Sequence, residues 1–347
     1  MAKQRCCPDC FGDDFLRKQI FPSRKPRQGT CDFCGTTETQ LIEPSQLRDY
    51  FEQLVNVYDE NKDGKSLVDW MKNDWQLFSH DRMDRADAKA LLAEILDNCE
   101  IVQRKFSPSE IYQSEALPQW DMLREEMMYT NRWFCDNAIK QDRLRELLDM
   151  LLAQSLPTQW YRARIQTEDT CFDITDMGAP DKRLSSHGRA NPAGIPYLYL
   201  GSLPQTAIAE IRPYTGEEVC VAEFTIPSDI NAVDLCNPRQ RVSPFILAEE
   251  GDIGQLRADL PYLERLGKEL ERPVQPKGAA IDYVPSQYLC EFIKKQGFDG
   301  VVYRSSVSDG INLALFNPSK AVDGRVMPYK VDKVSVEATP NSRSDPV

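Results

Sequence analysis

Histidine is almost missing: His80 and His187 are the only two in 347 residues. A His-based triad or a histidine-rich metal centre is therefore nearly excluded. Glycine-rich phosphate loops are missing as well. No Gly-x-Gly-x-x-Gly follows a strand pattern and no Gly-x-x-x-x-Gly-Lys-Ser/Thr occurs, which removes the Rossmann and P-loop routes to a nucleotide. No apolar run approaches the ~18 residues of a membrane helix, and the start, MAKQRCCPDC, is polar. A cytoplasmic protein without a membrane partner is expected. Positive charge is in deficit, with 42 Lys and Arg against 54 Asp and Glu and a formal net charge of -12. That excludes a nucleic-acid binder working through a global basic field, although a local basic patch stays open.

Cysteine is plentiful, at eleven. Seven (Cys6, Cys99, Cys135, Cys171, Cys220, Cys236, Cys290) are scattered through regular-looking segments, where a buried thiol behaves as a small apolar side chain. A disulfide framework is not expected in a cytosolic chain of this size. The other four form Cys7-Pro-Asp-Cys10 and Cys31-Asp-Phe-Cys34, the two-knuckle spacing that brings four thiolates to one Zn2+. Gly35 suits the left-handed backbone such knuckles use. Cys6 fits the spacing less well than Cys7. A four-thiolate site is closed to water, so the zinc is structural. Between the knuckles Arg17, Lys18, Arg24, Lys25 and Arg27 outnumber Asp13 and Asp14. A solvated loop explains them more simply than a nucleic-acid patch.

From about Pro44 to Pro157 apolar residues recur at three and four spacing, predicting four to six helices. Leu47, Phe51, Leu54, Val55 and Tyr58 make one stripe, Leu91, Leu92, Ile95 and Leu96 another, and Ile139, Leu144, Leu147, Leu148, Leu151 and Leu152 a third. Asp59 to Gly64 copies the first half of an EF-hand loop, but Trp70 stands where the bidentate glutamate belongs. A turn between helices is expected there instead.

After Pro157 the texture becomes short strands, turns and glycines. WYRARI, 160–165, alternates so that Arg162 and Arg164 share one face. Adjacent guanidiniums need an anion, and a diphosphate supplies one. A Gly188-Arg189-x-Asn191-Pro-x-Gly194 turn leads into a strand, 195–201, with Tyr197 and Tyr199 on one face and Leu198 and Leu200 on the other. Ser202-Leu-Pro-Gln205 reads as a capping box that starts a helix carrying Thr206 and Glu210. Further strands are expected at 219–226, 301–305 and 312–317, with a variable, partly helical stretch at 229–277 and a helix 286–296 ending at Gly297. The tail 331–347 is expected to be disordered.

YRAR, GRANPAGIPYLYLG with SLPQTAIAEI, and GFDGVVYRSS with INLALF resemble the three blocks of the RES domain family. That resemblance implies an ADP-ribosyltransferase-like fold and, in toxin members, degradation of NAD+, often with a paired antitoxin. The whole chain is then α+β: a zinc ribbon at 1–40, a helical domain at 41–156, a RES domain at 157–330 and the tail. Carried over by position, the resemblance assigns catalysis to Arg162, Tyr199, Glu210 and Ser305, and NAD+ binding to Arg164, Arg189, Asn191 and Tyr197. Ala190 replaces the family's usual tryptophan, and Arg304 stands where proline is common. The implied reaction is cleavage of the nicotinamide-ribose bond, with water or phosphate as acceptor. Transfer of ADP-ribose to a macromolecule is the alternative, and a non-catalytic adaptor with a degenerate RES domain is the alternative of another class. The N-terminal part resembles modules fused to some RES proteins, where a sensor or antitoxin partner would bind.

Overall fold

A computed structural model describes residues 3–247, 249–275 and 277–335. The chain forms two compact units, one of residues 1–151 with 237–269 and one of residues 152–236 with 270–347.

The first unit begins with the two cysteine knuckles and a short hairpin of β1 (Arg27–Gly29) and β2 (Thr39–Leu41). Helices follow at Arg48–Val55, Leu67–Trp75, Arg85–Leu96, Ala116–Tyr129 and Gln141–Asp149. Their apolar stripes bury as the spacing requires: Phe51, Leu54, Leu91, Leu92, Ile95, Leu147 and Leu148 are fully inaccessible. The helix Arg85–Leu96 starts on a capping box, in which Asp84 accepts from the amides of Ala86 and Asp87 while Asp87 accepts from the Asp84 amide. The EF-hand-like stretch is not a turn. It belongs to β3 (Tyr58–Lys65), which pairs with β4 (Phe106–Pro108) and bulges between Glu60 and Lys65. Tyr58 is buried and Trp70 donates to the Phe106 carbonyl, so packing on this hairpin outweighs the turn chemistry of the Asp-Asn-Gly run.

The 237–269 excursion carries most of the helix Glu250–Glu271 and is integral to this unit. Phe245 packs 5.5 Å from Phe51 between ring centroids. Asp74, 6% exposed, accepts from Tyr58 Oη at 3.0 Å, Arg239 Nη1 at 3.3 Å and Arg257 Nε at 2.8 Å. Such donors offset the cost of taking a carboxylate out of water.

The second unit is a seven-stranded mixed sheet in the order β11-β7-β5-β6-β10-β9-β8. Its strands are β5 (Gln159–Ile165), β6 (Leu198–Gly201), β7 (Glu218–Thr225), β8 (Ala232–Asp234), β9 (Gly300–Arg304), β10 (Ile311–Leu315) and β11 (Val322–Lys330). Only β8 and β9 run parallel among the described strands. Alternation sorts the two faces. Trp160, Leu198, Leu200, Cys220, Ala222, Phe224, Val302, Leu313 and Leu315 build one core. Ala163, Val219, Val221 and Ala207 build the other, with Tyr161 and Ile208 packed on it. The α+β class expected from the residues, with clustered N-terminal cysteines and a mixed C-terminal sheet, is the one observed.

Several local expectations change. The strand before Gly201 starts at Leu198, because Ile195 closes a turn onto the Pro192 carbonyl and Pro196 has no amide to pair. Ser202 caps no helix: its hydroxyl takes the Ile311 amide, and the helix Pro204–Glu210 has Leu203 at its N-cap. Strand β11 is additional, and its Pro328 is tolerable because the strand forms a sheet edge. Val331, expected to begin the tail, is buried and bonded to Glu217; residues 336–347 lie outside the described ones. Cys171 and Cys220 are joined in a disulfide, against the expectation of isolated thiols. Gly297 has φ +91°, the left-handed end anticipated for the helix Val284–Lys295. Among the described residues no helix is long and apolar enough to cross a membrane.

Candidate active site

The middle of the sheet does not close. β5 meets β6 at a single residue pair, Tyr161 with Gly201, whereas β5 pairs with β7 along its whole length. Beyond that pair the two strands part, and a cavity of about 560 Å³ opens among residues of both. Strands that part leave their facing peptide groups to other partners, so the opening is a polar notch in an apolar sheet.

Arg162 lies at the parting and lines the cavity. Its Nη1 donates to the Tyr199 carbonyl over a long 3.4 Å, and its buried Nε has no partner. Burial and the nearby Arg164 charge lower its pKa to about 10, so it stays cationic at neutral pH but poorly compensated. An anion in the cavity would relieve both deficits. Arg164 itself does not line the cavity. It is exposed, donates to the Asp176 carbonyl and lies 4.6 Å above the Phe172 ring.

The turn 188–191 is held from three sides. The Tyr199 hydroxyl accepts from the amides of Ala190 (2.9 Å) and Asn191 (3.1 Å) and donates to Asn191 Oδ1 (2.8 Å). Gln287 Nε2 donates to the carbonyls of Gly188 and Asn191, and Ser286 Oγ to that of Arg189. Burial keeps the Tyr199 phenol far from ionisation, so it works as a neutral donor and acceptor. Asn191 is 3% exposed and spends its amide on Ser185, Ser186 and Pro192, which makes it a brace of the turn and not part of the cavity wall. Ala190 is fully buried. Arg189 does line the cavity, with Nη1 on the Arg272 carbonyl at 2.6 Å and its guanidinium 5.6 Å over the Tyr283 ring. Tyr197 is 1% exposed against Phe316, outside the cavity.

Gly188 is where this turn tolerates least. A Cβ there would fall 2.2 Å from Asn191 Oδ1 and 2.5 Å from the Tyr199 hydroxyl. Gly188→Ala is expected to lower stability by about 1–3 kcal/mol. Thermal denaturation checks this, and an unchanged melting temperature would contradict the described packing of the turn.

Glu210 closes the helix Pro204–Glu210 and borders the cavity. Its Oε1 accepts twice, from Ser305 Oγ at 2.8 Å and from Asn312 Nδ2 at 2.6 Å. Two donors on one oxygen fix the carboxylate's orientation and leave the other oxygen available. Ser305 therefore touches the carboxylate, and its neighbour Ser306 lines the cavity. Arg304 points elsewhere, donating to the Cys236 carbonyl.

Residue reasoning missed several members of the wall. Asn312 is a buried amide in an apolar strand, and that mismatch was a visible signal. Tyr303 is paired with Asn312 across β9 and β10, and Tyr283 lies under Arg189; neither carries a periodic cue. Arg212 and His187 also line the cavity. The set offers cations for phosphates, aromatic faces for a base or ribose and one carboxylate for a developing positive charge.

The sequence model of the RES domain family matches residues 159–332, half of the chain. The chain belongs to the RES domain family. The RES match begins with β5 and ends just past β11, so every cavity residue named above falls inside it. No match was found among curated proteins. Among solved structures, one similar to this RES chain is the M. tuberculosis MbcT-MbcA toxin-antitoxin complex, at 14% identity, covering 54% of this chain and 92% of that one, with a TM-score of 0.32.

The N-terminal cysteines form a second site. The Sγ atoms of Cys7, Cys10, Cys31 and Cys34 are buried and lie within 4.8 Å of one another. Neighbouring pairs are 3.4, 3.5 and 3.9 Å apart. A tetrahedron with Zn–S bonds of ~2.3 Å has S···S edges of about 3.8 Å, so the cluster has the dimensions of a metal site. Gly35 has φ +69° and its amide closes onto the Cys31 carbonyl, as the knuckle predicts. Cys6 is outside the cluster, paired instead with Ile42. Two of the five basic residues between the knuckles are ion-paired, Arg17 with Asp9 and Lys18 with Asp14, while Arg24 lies over the Tyr50 ring.

Proposed function

We propose that this RES protein is an enzyme that binds NAD+ in the cavity and cleaves its nicotinamide-ribose bond. The observation that carries this is the Glu210 carboxylate, pinned through one oxygen by Ser305 and Asn312 beside a wall of guanidinium and phenol groups. In the proposed step the C1′–N bond breaks with its electron pair passing to the nicotinamide nitrogen, which leaves as the neutral amide. The ribose becomes oxocarbenium-like, and the free oxygen of Glu210 stabilises that charge. Arg162 and Arg189 hold the phosphates, and Tyr199 packs on the reacting ribose while fixing the turn that carries Arg189. Ser305 acts through Glu210. Addition of water at C1′, with loss of a proton, gives ADP-ribose; addition of phosphate gives its phosphorylated counterpart.

Arg164, Asn191 and Tyr197 have supporting roles in this scheme: a flank for β5, a brace for the turn and a packing residue. The four cysteines are proposed to hold a structural Zn2+, which supplies cohesion to the N-terminal unit and no chemistry to the cavity. A toxin-like role in the cytoplasm, with an antitoxin or sensor partner acting through the zinc-bearing unit, completes the proposal.

Incubation of the purified chain with NAD+, followed by mass spectrometry of all products, tests the scheme. Free nicotinamide with ADP-ribose or its phosphate is expected. ADP-ribose mass added to protein or nucleic acid identifies a transferase instead, and intact NAD+ throughout would sink the enzymatic assignment.

A further inference from the structure

The cavity carries a guanidinium that the proposed mechanism does not use. Arg212 lines it, is exposed, and has no side-chain hydrogen bond or ion pair among the described residues. The other two arginines of the wall are engaged, Arg162 with the Tyr199 carbonyl and Arg189 with the Arg272 carbonyl. Arg212 also has φ +48°, a left-handed conformation that an arginine adopts only at a cost. Local sequence explains how it gets there. The helix Pro204–Glu210 ends at Glu210, and Pro213 disfavours helical geometry for the residue before it. What the local sequence does not explain is why a long cation stands where glycine or asparagine would be relaxed. Electrostatics supplies a reason. The lining holds three guanidiniums, of Arg162, Arg189 and Arg212, against the single carboxylate of Glu210, inside a chain of net charge -12. An excess of two positive charges gathered in one cleft of an acidic protein matches a dianionic ligand.

We infer that Arg212 is a phosphate-binding residue, the open arm of a diphosphate subsite whose enclosed arm is Arg162. This rests on the reading of the cavity as a dinucleotide site, and it assigns to Arg212 the capture of the substrate's diphosphate from solvent. A planar fork with no competing carboxylate can engage two phosphate oxygens at once. Because it contributes to binding and not to the departure of nicotinamide, its loss should raise KM and leave kcat nearly as it is.

Calorimetric titration of the full chain with ADP, and separately with adenosine, tests this without turnover. The wild type is expected to bind ADP more tightly than adenosine. Arg212→Gln is expected to weaken ADP binding by roughly ten- to a hundred-fold, the range for one lost charged hydrogen bond, and to leave adenosine unchanged. Arg212→Lys should recover part of the loss. Arg212→Gly should bind ADP as poorly as the glutamine variant without a lower melting temperature, since glycine accepts the positive φ. Arg325→Gln, which breaks the pair of the exposed Arg325 on β11 with Glu223 on β7, serves as the charge control and should bind like wild type. Equal ADP affinity of wild type and Arg212→Gln overturns the inference, as does an equal loss of ADP and adenosine. Failure of the cleavage scheme reads out differently: wild type would release no nicotinamide from NAD+ while the ADP difference between wild type and Arg212→Gln persisted.

Discussion

Glu210→Gln is expected to lower nicotinamide release from NAD+ by about 10²–10³-fold, almost entirely in kcat. Glutamine keeps an oxygen to accept from Ser305 and Asn312, so the geometry of the end of the helix survives and the melting temperature should hold. What disappears is the negative charge facing a ribose that turns cationic, and that charge matters more in the transition state than in the bound substrate. Single-turnover measurements of nicotinamide release, with NAD+ affinity measured in parallel, separate the two. A glutamine variant that cleaves NAD+ at the wild-type rate would remove Glu210 from the chemistry altogether. A variant that loses affinity and rate together would point to a collapsed site.

Metal loss should have the largest effect on the fold. Four buried thiols this close together repel one another as thiolates and leave polar sulfurs without water, and a divalent cation resolves both problems. The binding free energy of such a site is on the order of 10–16 kcal/mol, comparable to the whole stability of a small domain. Cys10→Ala is therefore expected to abolish zinc retention and to unfold the knuckles, exposing the Phe11 and Phe21 rings that pack 5.8 Å apart beside them. Elemental analysis of the purified chain should find about one zinc per molecule. Limited proteolysis should then cut the alanine variant within the first forty or so residues. Wild-type protein free of zinc, with an alanine variant as resistant as its parent, would refute the metal site.

Chemistry-bearing residues were legible where their spacing was short. The two Cys-x-x-Cys knuckles, the alternation that sets Tyr199 opposite Leu198 and Leu200, and the left-handed glycines 35 and 297 follow from rules that act over a few residues. Partners far apart in the chain were not legible. The cradle of the 188–191 turn comes from Ser286 and Gln287, nearly a hundred residues away, and Asn312 reaches Glu210 from a strand of its own. Ser202-Leu-Pro-Gln205 shows a local rule losing to a distant one. The serine had the spacing of a cap, but the Ile311 amide on the neighbouring strand claimed its hydroxyl. Likewise, Asp59 to Gly64 had turn chemistry, and cross-strand pairing with Phe106 to Pro108 drew it into β3. Arg164 illustrates parity without destination: it shares a strand face with Arg162, yet Phe172 and the Asp176 carbonyl hold it outside the cleft.

The route taken by residues 237–269 has a practical consequence for anyone dividing this protein into pieces. Stopping translation after Leu151 would omit Arg239 and Arg257, so the buried Asp74 would lose two of its three side-chain donors, and Phe51 would lose the ring of Phe245. Such a fragment should be insoluble or need its missing segment supplied in trans. The unit that carries the cysteine cluster is thus completed only after four of the seven strands of the sheet have been synthesised.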